Sequence, residues 1–158
     1  MMFKKFVTES RKVVGDARDI AAELESPTVE AEHLLLAVAR GPATTAQQVL
    51  VEAGLDYDRA RAALAAEFER SLAAAGISLE DFDLPASRVT TRIARWGTTA
   101  KLALARSAKN ADARRDRRLT PDHILLGVLQ ASTGTVPRTL DCAGIDRSEL
   151  SRRVEAAL

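Results

Sequence analysis

The sequence is poor in cysteine, histidine and aromatic residues, and it has no long apolar run. A single cysteine, Cys142, excludes an internal disulfide framework and is typical of a reducing cytosol. No stretch approaches the roughly 18 apolar residues of a membrane helix, and no secretion signal follows the first methionine. A net charge of +1 gives no strong attraction to nucleic acid or to an anionic membrane. We therefore expect a cytoplasmic protein without either of these partners.

Strand-forming residues are also scarce, whereas alanine, leucine, arginine and glutamate dominate most of the chain. Those four residues favour helices, and only residues 88–93 show a trace of strand-like alternation. No glycine is followed by lysine and no G-x-G-x-x-G occurs, so the two common nucleotide-binding loops are absent from the sequence. These patterns predict an all-α protein that does not bind nucleotides and needs no cofactor.

The chain repeats itself with an offset of 90 residues. The two histidines, His33 and His123, lie in nearly identical stretches, AEHLLLAV at 31–38 and PDHILLGV at 121–128. The same register holds without a gap from about residue 6 to the end. The matched pairs are Phe6 and Trp96, Thr8 and Thr98, Leu35 and Leu125, Leu36 and Leu126, Val38 and Val128, Thr45 and Thr135, Leu50 and Leu140, Gly54 and Gly144, and Asp56 and Asp146. We therefore predict a duplicated structural unit.

The matched residues are those that begin and end helices. The expected N-caps are Thr8, Thr45, Asp56, Thr98, Thr120, Thr135 and Asp146, with Pro121 at a first helical position. Gly54 and Gly144 are expected where helices stop, because glycine tolerates the left-handed conformation. Each repeat is thus predicted to have four helices, at 8–25, 30–40, 45–53 and 56–74, and at 98–113, 120–131, 135–143 and 146–157. Repeat 1 covers 6–75, a linker 76–95, and repeat 2 covers 96–158.

Three more specific functions, metal binding, catalysis and nucleic-acid binding, find little support in the residues. Two histidines and one cysteine lack the paired spacing of a zinc site, so we expect no metal. No nucleophile and base occur together, so an enzyme built on His33 or His123 lacks partners and we expect no catalytic residue. The basic run RRDRR at 114–118 is interrupted by Asp116 and is more typical of a solvated loop than of a nucleic-acid site.

The repeated motifs resemble the Clp N-terminal repeat domain found at the front of Clp unfoldases, with the ClpC type the most similar. In that family each repeat has an aromatic residue, a capping threonine or serine, a "TEHILLGLL"-like helix and a short helix ending in "LxxLGI". Here these elements are FVTESRKVV, AEHLLLAV and VLVEAGLDYDRAR, and then WGTTAKLAL, TPDHILLGV and TLDCAGIDRSEL. The threonine usually follows the aromatic residue directly, whereas here Val7 and Gly97 intervene.

The resemblance implies a pseudo-twofold bundle of eight helices that recognises proteins. ClpC-type domains are phosphoarginine receptors with one pocket in each repeat, in which the acidic residue before the histidine holds the guanidinium. Carried over by position, the first pocket would use Glu32 with Thr8 and Arg11 as phosphate contacts. The second would use Asp122, a shorter acid, with Thr98 and Lys101.

The resemblance implies a non-enzymatic module for substrates or adaptors of Clp-dependent proteolysis, with a ClpC-type unfoldase as a further partner. Since Clp ATPase modules are not present in these residues, both a free-standing protein and the front domain of a longer one remain open. The alternative is a decoy that sequesters macrocyclic antibiotics that target ClpC-type domains. Its apolar candidates are Phe3, Phe6 and Phe82.

Overall fold

The structure, a computed structural model, describes residues 6–77 and 94–158 of the chain. These residues form eight helices and two short strands. They are α1 (Thr8–Glu23), β1 (Thr28–Val29), α2 (Ala31–Arg40), α3 (Thr45–Glu52), α4 (Tyr57–Ala74), β2 (Arg95–Trp96), α5 (Thr98–Ala113), α6 (Pro121–Leu129), α7 (Thr135–Cys142) and α8 (Arg147–Ala157). Helices α5 to α8 each begin 90 residues after their counterparts α1 to α4. The predicted all-α fold, built from a duplicated four-helix unit, is confirmed.

The two histidine helices, α2 and α6, form the centre of the bundle. Residues 33–39 of α2 and all of α6 are buried, and the two helices pack against each other. Apart from the polar residues of their first turns and Arg40 at the end of α2, both helices are apolar, which is the pattern of a helix surrounded by other helices. The other six helices are amphipathic and cover this pair. The core therefore passes through both repeats without interruption.

Helices α5 and α6 approach each other so closely that one position admits no side chain. A Cβ atom added to Gly127 of α6 would lie 2.3 Å from the Ala103 carbonyl oxygen and 2.3 Å from Ser107 Oγ, both on α5. Because Ala103 O belongs to the backbone, it can move only if the helix moves. Glycine is thus required where the two helices cross.

Short parallel strands join the two repeats reciprocally. Thr28 and Val29, which lead into α2, pair with Arg95 and Trp96, which lead into α5. In the other half Phe6 forms a parallel bridge with Leu119. Val29 and Leu119 are 90 residues apart, as are Phe6 and Trp96, so the same pairing occurs twice with the repeats exchanged. Each repeat therefore completes the backbone hydrogen bonding of the other.

Several predicted helix signals are confirmed. The side chain of Asp56 accepts the Arg59 N–H at 2.8 Å, and that of Asp146 accepts the Glu149 N–H at 3.1 Å. Thr120 is the N-cap of α6, with Pro121 at the first helical position. The predicted helix-ending glycines, Gly54 and Gly144, have φ values of +85° and +71°.

Four predicted N-caps are wrong by one residue. Thr8 and Thr98 are the first residues of their helices, and the N-caps are Val7 and Gly97. Thr45 and Thr135 also lie one residue inside, because Thr44 caps α3 by accepting the Gln47 N–H and Gly134 precedes α7. In each case an adjacent residue adopts the extended or left-handed backbone that the cap position needs.

The predicted linker, 76–95, falls mostly outside the described residues, as does the alternation near 88–93. Of its ends, Gly76 follows α4 with a φ of +76° and Arg95 belongs to β2. The division into repeat, linker and repeat stays a prediction. Among the described residues no helix is long and apolar enough to cross a membrane.

Candidate functional site

Each histidine closes the first turn of its own helix. His33 Nδ1 accepts the Glu30 N–H at 2.8 Å, and His123 Nδ1 accepts the Thr120 N–H at 3.0 Å. Both rings are buried, with exposed fractions of 4% and 2%. Since Nδ1 is the acceptor, the neutral ring carries its proton on Nε2. The predicted structural role of the histidines agrees with this geometry.

The basic run 114–118 organises the neighbourhood of His123. Asp116 Oδ2 lies 2.8 Å from His123 Nε2, and this hydrogen bond is the main cause of the lowered pKa of Asp116, with a smaller contribution from the nearby Arg114. Arg114 also donates to the Leu158 carbonyl oxygen at 3.1 Å. Part of the run is therefore structural, whereas Arg117 and Arg118 remain exposed.

Chemistry at these histidines or at Cys142 finds no support in the described residues. Cys142 is half-buried at the end of α7. No group of three metal-ligating side chains occurs within residues 6–77 and 94–158.

The strand exchange changes which predicted site residues are neighbours. Thr8 begins α1 and Thr98 begins α5, whereas Glu32 and Asp122 lie in the first turns of α2 and α6. Within the described residues, no hydrogen bond or ion pair joins Glu32 to Thr8 or Arg11, or Asp122 to Thr98 or Lys101.

Each acidic residue instead faces the first helix of the other repeat. Thr99 at the start of α5 donates its N–H to Glu30 Oε2 at 3.2 Å, and its Oγ1 accepts the Ala31 N–H at 2.9 Å. This brings the N-terminus of α5, with Thr98 and Lys101, beside that of α2, with Glu32.

In the other half, the start of α1 adjoins the segment that leads into α6. The Val7 N–H donates to the Leu119 carbonyl oxygen at 3.2 Å, and Ser10 Oγ donates to the same oxygen at 2.6 Å. Thr8 and Arg11 are consequently on the side of Asp122. These contacts favour cross-repeat sites, in which Glu32 would be grouped with Thr98 and Lys101, and Asp122 with Thr8 and Arg11.

The first site holds an ion pair that the sequence analysis missed. Glu67 of α4 is buried, with 4% of its surface exposed, and accepts hydrogen bonds from Arg138 Nε at 2.8 Å and from Ser71 Oγ at 2.5 Å. Burial alone would raise the pKa of Glu67, but the two hydrogen bonds outweigh it and the pKa is lowered. The pKa of the half-buried Glu32 is raised by burial and by the charges of Glu30 and Glu67, while Arg138 opposes this.

The second site is a cleft with an unpaired carboxylate oxygen. Asp122 is 8% exposed, and its Oδ1 is buried with no hydrogen-bond partner among the described residues. Burial raises the pKa of this carboxyl group. The cleft has a volume of about 390 Å³ and is lined by Asp116, Arg117, Arg118, Thr120, Asp122, His123, Ala157 and Leu158. A buried acceptor without a donor is costly, so this oxygen is suited to an external donor.

The site residues that the sequence analysis did not identify differ in how clearly the sequence indicates them. Ala60, Ala63 and Glu67 are the buried residues of α4, at helical spacing, so a glutamate on an apolar face was an available signal. Nothing in the sequence around Arg138 indicates its partner, which lies 71 residues away. Arg117 and Arg118 belong to a run that was assigned to a solvated loop.

Phe6 does not line the aromatic groove that was predicted to bind a macrocyclic ligand. Phe6 is 4% exposed and belongs to the core cluster, because its backbone pairs with Leu119 and holds the ring inside. Its prediction as a groove residue is wrong. Phe3 and Phe82 lie outside the described residues.

The protonation of His33 predicts a pH dependence of stability. Burial lowers the pKa of His33, with the charge of Glu30 opposing, so the folded protein binds this proton more weakly than the unfolded chain. The stability from His33 is therefore fully present above about pH 6.5 and is lost as the pH falls through the folded pKa. Urea unfolding at pH 7.5 and pH 5.5 should show wild type losing more stability than His33→Gln.

The difference in stability loss between wild type and His33→Gln isolates the contribution of His33 from that of other titrating groups. Glu32 and Asp122, whose pKa values are raised, act in the opposite direction, since their contribution grows as the pH falls. Both carboxyl groups remain in His33→Gln, so their effects cancel. Equal losses in the two proteins would contradict the assignment.

The fold and its two sites define a double-repeat helical domain with an acidic residue at each central helix start. The chain matches the Clp repeat (R) N-terminal domain family over residues 5–93 and 95–158. The chain belongs to this family, as its motifs predicted. Domains of the family are non-catalytic protein-interaction modules of Clp chaperones.

A related sequence and two solved structures agree with this family assignment. The chain is 27% identical over 153 residues to a probable ATP-dependent Clp protease ATP-binding subunit of Chlamydia pneumoniae, a match that covers 97% of this chain but 16% of that protein. The N-terminal domain of ClpD from Arabidopsis thaliana superposes with a TM-score of 0.71 at 18% identity, covering 99% of this chain and 96% of that one. The Hsp104 N-terminal domain from Candida albicans gives a TM-score of 0.65 at 18% identity, covering 95% and 89%.

Proposed function

We propose that this protein binds substrates or adaptors of the Clp machinery and recognises phosphorylated arginine side chains on them. The observation that carries the proposal is the unpaired Oδ1 of Asp122 in a cleft that also holds Arg117 and Arg118. A carboxylate can accept from a guanidinium, and arginines can bind a phosphate bidentately. Phosphoarginine carries both groups on one side chain.

The adaptor role is favoured over the decoy role. A decoy for macrocyclic ligands rested on three phenylalanines, one of which, Phe6, is buried in the core. The polar cleft, in contrast, offers charged groups of both signs to a peptide side chain. A soluble partner protein carrying a modified arginine is the occupant that this chemistry suits.

Calorimetric titration with free phosphoarginine tests the proposal. The double variant Glu32→Gln with Asp122→Asn should weaken binding roughly tenfold to a hundredfold, because a hydrogen bond to a charged group contributes about 1.5–3 kcal/mol. Asp58→Asn is the matched control, since Asp58 is an exposed carboxylate in the first turn of α4. It should bind like wild type.

Titrations with two related ligands measure the specificity of binding. Phosphoserine and unmodified arginine should bind more weakly, because each lacks one of the two charged groups. Absence of heat with phosphoarginine at millimolar concentration, or an unchanged affinity in the double variant, would remove the phosphoarginine function.

A further inference from the structure

The first helices of the two repeats carry opposite charges at equivalent positions. Under the 90-residue offset, three acidic residues in or just after α1 correspond to three basic residues in or just after α5. The acidic residues, which we call the acidic face, are Asp16, Asp19 and Glu25. Their counterparts, which we call the basic face, are Arg106, Lys109 and Arg115. Equivalent parts of the two repeats thus present opposite charges.

The last residue of each face has a backbone conformation that favours glycine. Glu25 and Arg115 have φ values of +57° and +60°, and within the described residues they are the only non-glycine residues with a positive φ. The turns after α3, α4 and α7 use Gly54, Gly76 and Gly144 instead. Because a Cβ atom is unfavourable in this conformation, the two charged residues are present at a cost in stability. Such positions are typical of functional surfaces.

Most of these charges lack an internal partner in the described part of the chain. None of the three side chains of the basic face forms an ion pair there, and Lys109 and Arg115 are exposed. On the acidic face, Asp19 is exposed and likewise forms no ion pair with a described residue, whereas Asp16 is held by Lys12 at 2.9 Å. The basic face and Asp19 are therefore available to a partner of opposite charge.

The outer ends of the two faces lie at opposite ends of helices α1 and α5. Glu25 precedes β1, which pairs with β2 just before α5 begins. Arg115 precedes Leu119, which forms a bridge with Phe6 just before α1 begins. The acidic face thus extends toward the start of α5, and the basic face toward the start of α1. Among the described residues no ion pair joins the two faces, so a partner for either must come from outside.

We propose that the two faces form a self-contact, in which the basic face of one copy of this chain docks on the acidic face of a second copy. The second copy fits because the faces match in spacing as well as in sign. In each face two charges lie three residues apart on a helix, and the third lies in the left-handed turn that follows. A contact between two different faces of identical chains is head-to-tail, so it extends into a row or closes into a ring.

This self-contact is independent of the phosphoarginine function. Arg117 and Arg118, which line the Asp122 cleft, do not belong to the basic face. A copy held in the row therefore keeps its cleft residues free of the contact. Loss of phosphoarginine binding would leave the self-contact unaffected, and the reverse also holds.

Sedimentation velocity at low and high salt tests the self-contact. Exposed charges attract each other strongly at about 20 mM salt and are screened at about 500 mM. At the lower salt the weight-average mass of wild type should at least double as the protein concentration rises from micromolar to millimolar. At the higher salt it should return to the mass of one chain.

Exchanging charges between the repeats identifies the two faces. Asp19→Lys with Glu25→Arg makes both faces predominantly basic, and Lys109→Asp with Arg115→Glu makes both predominantly acidic. Each new residue is the one that the other repeat has at the equivalent position, including the left-handed turns. Either variant alone should be monomeric at low salt, whereas a mixture of the two should associate. The quadruple variant should associate like wild type.

Asp58→Arg with Glu69→Arg is the matched control. It changes the net charge by the same amount as the acidic-face variant, at exposed positions of α4. It should associate like wild type, and circular dichroism checks that every variant is folded.

Several results would overturn the self-contact. They are a wild type that stays monomeric at low salt and millimolar concentration, association that survives in both face variants, and a mixture of these variants that does not associate. Binding of a poly-glutamate peptide or a DNA duplex to a monomeric wild type, lost in the Lys109→Asp with Arg115→Glu variant, would assign the basic face to a foreign acidic partner instead.

Discussion

Replacing Gly127 by alanine should lower the free energy of unfolding by about 3 kcal/mol, the upper range for overpacking a core. The new methyl group would overlap the Ala103 carbonyl oxygen and Ser107 Oγ, both at 2.3 Å. Relief requires α5 and α6 to separate, which loosens the largest interhelical contact of the second repeat. Urea unfolding followed by circular dichroism measures the effect.

Gly15 provides the matched control. It is an exposed glycine inside α1, and a Cβ atom there would meet nothing within 4 Å. Gly15→Ala should therefore raise stability by about 0.5–1 kcal/mol, the difference in helix propensity between the two residues. Equal effects of the two substitutions would refute the close approach of α5 and α6.

Replacing His33 by alanine should cost about 2–3 kcal/mol, from the lost packing of a buried ring and from an orphaned N–H group. The Glu30 N–H, now bound to His33 Nδ1 at 2.8 Å, would have no acceptor. His33→Gln should recover about half of the loss, since glutamine at the third helical position can accept from the N-cap N–H. Thermal and urea unfolding of the three proteins measure both effects.

This pair of variants also distinguishes a structural histidine from a functional one. A binding or catalytic histidine would lose activity in His33→Gln even when the fold is recovered. We expect phosphoarginine binding to follow stability and not the imidazole itself. If alanine and glutamine prove equally destabilising, the N–H acceptor role of His33 is wrong.

Helix positions could be predicted because their determinants are local. Asp56 and Asp146 accept hydrogen bonds three residues ahead, and Gly54 and Gly144 adopt positive φ values, so each acts within one turn. The 90-residue repeat strengthened every such assignment by supplying it twice. The misplaced N-caps show the limit, because at Thr45 two adjacent threonines were equally good candidates.

The composition of the sites could not be predicted in this way. The pairing of Val29 with Trp96 joins residues that are distant in sequence, and two-residue strands leave no alternation to detect. Without this pairing, Glu32 was assigned to the start of its own first helix. The repeat indicates the positions of Glu32 and Asp122 in the sequence, whereas the residues that surround them depend on tertiary packing.

The reciprocal strand pairing makes each half of the molecule incomplete by itself. Residues 6–77 contain the bridge residue Phe6, which leads into α1, and the strand β1, which leads into α2, but each takes its partner from the other half. A second copy of the same half offers both partners in the same arrangement. A symmetric homodimer of single repeats would therefore satisfy the same two pairings that the duplicated chain satisfies within itself.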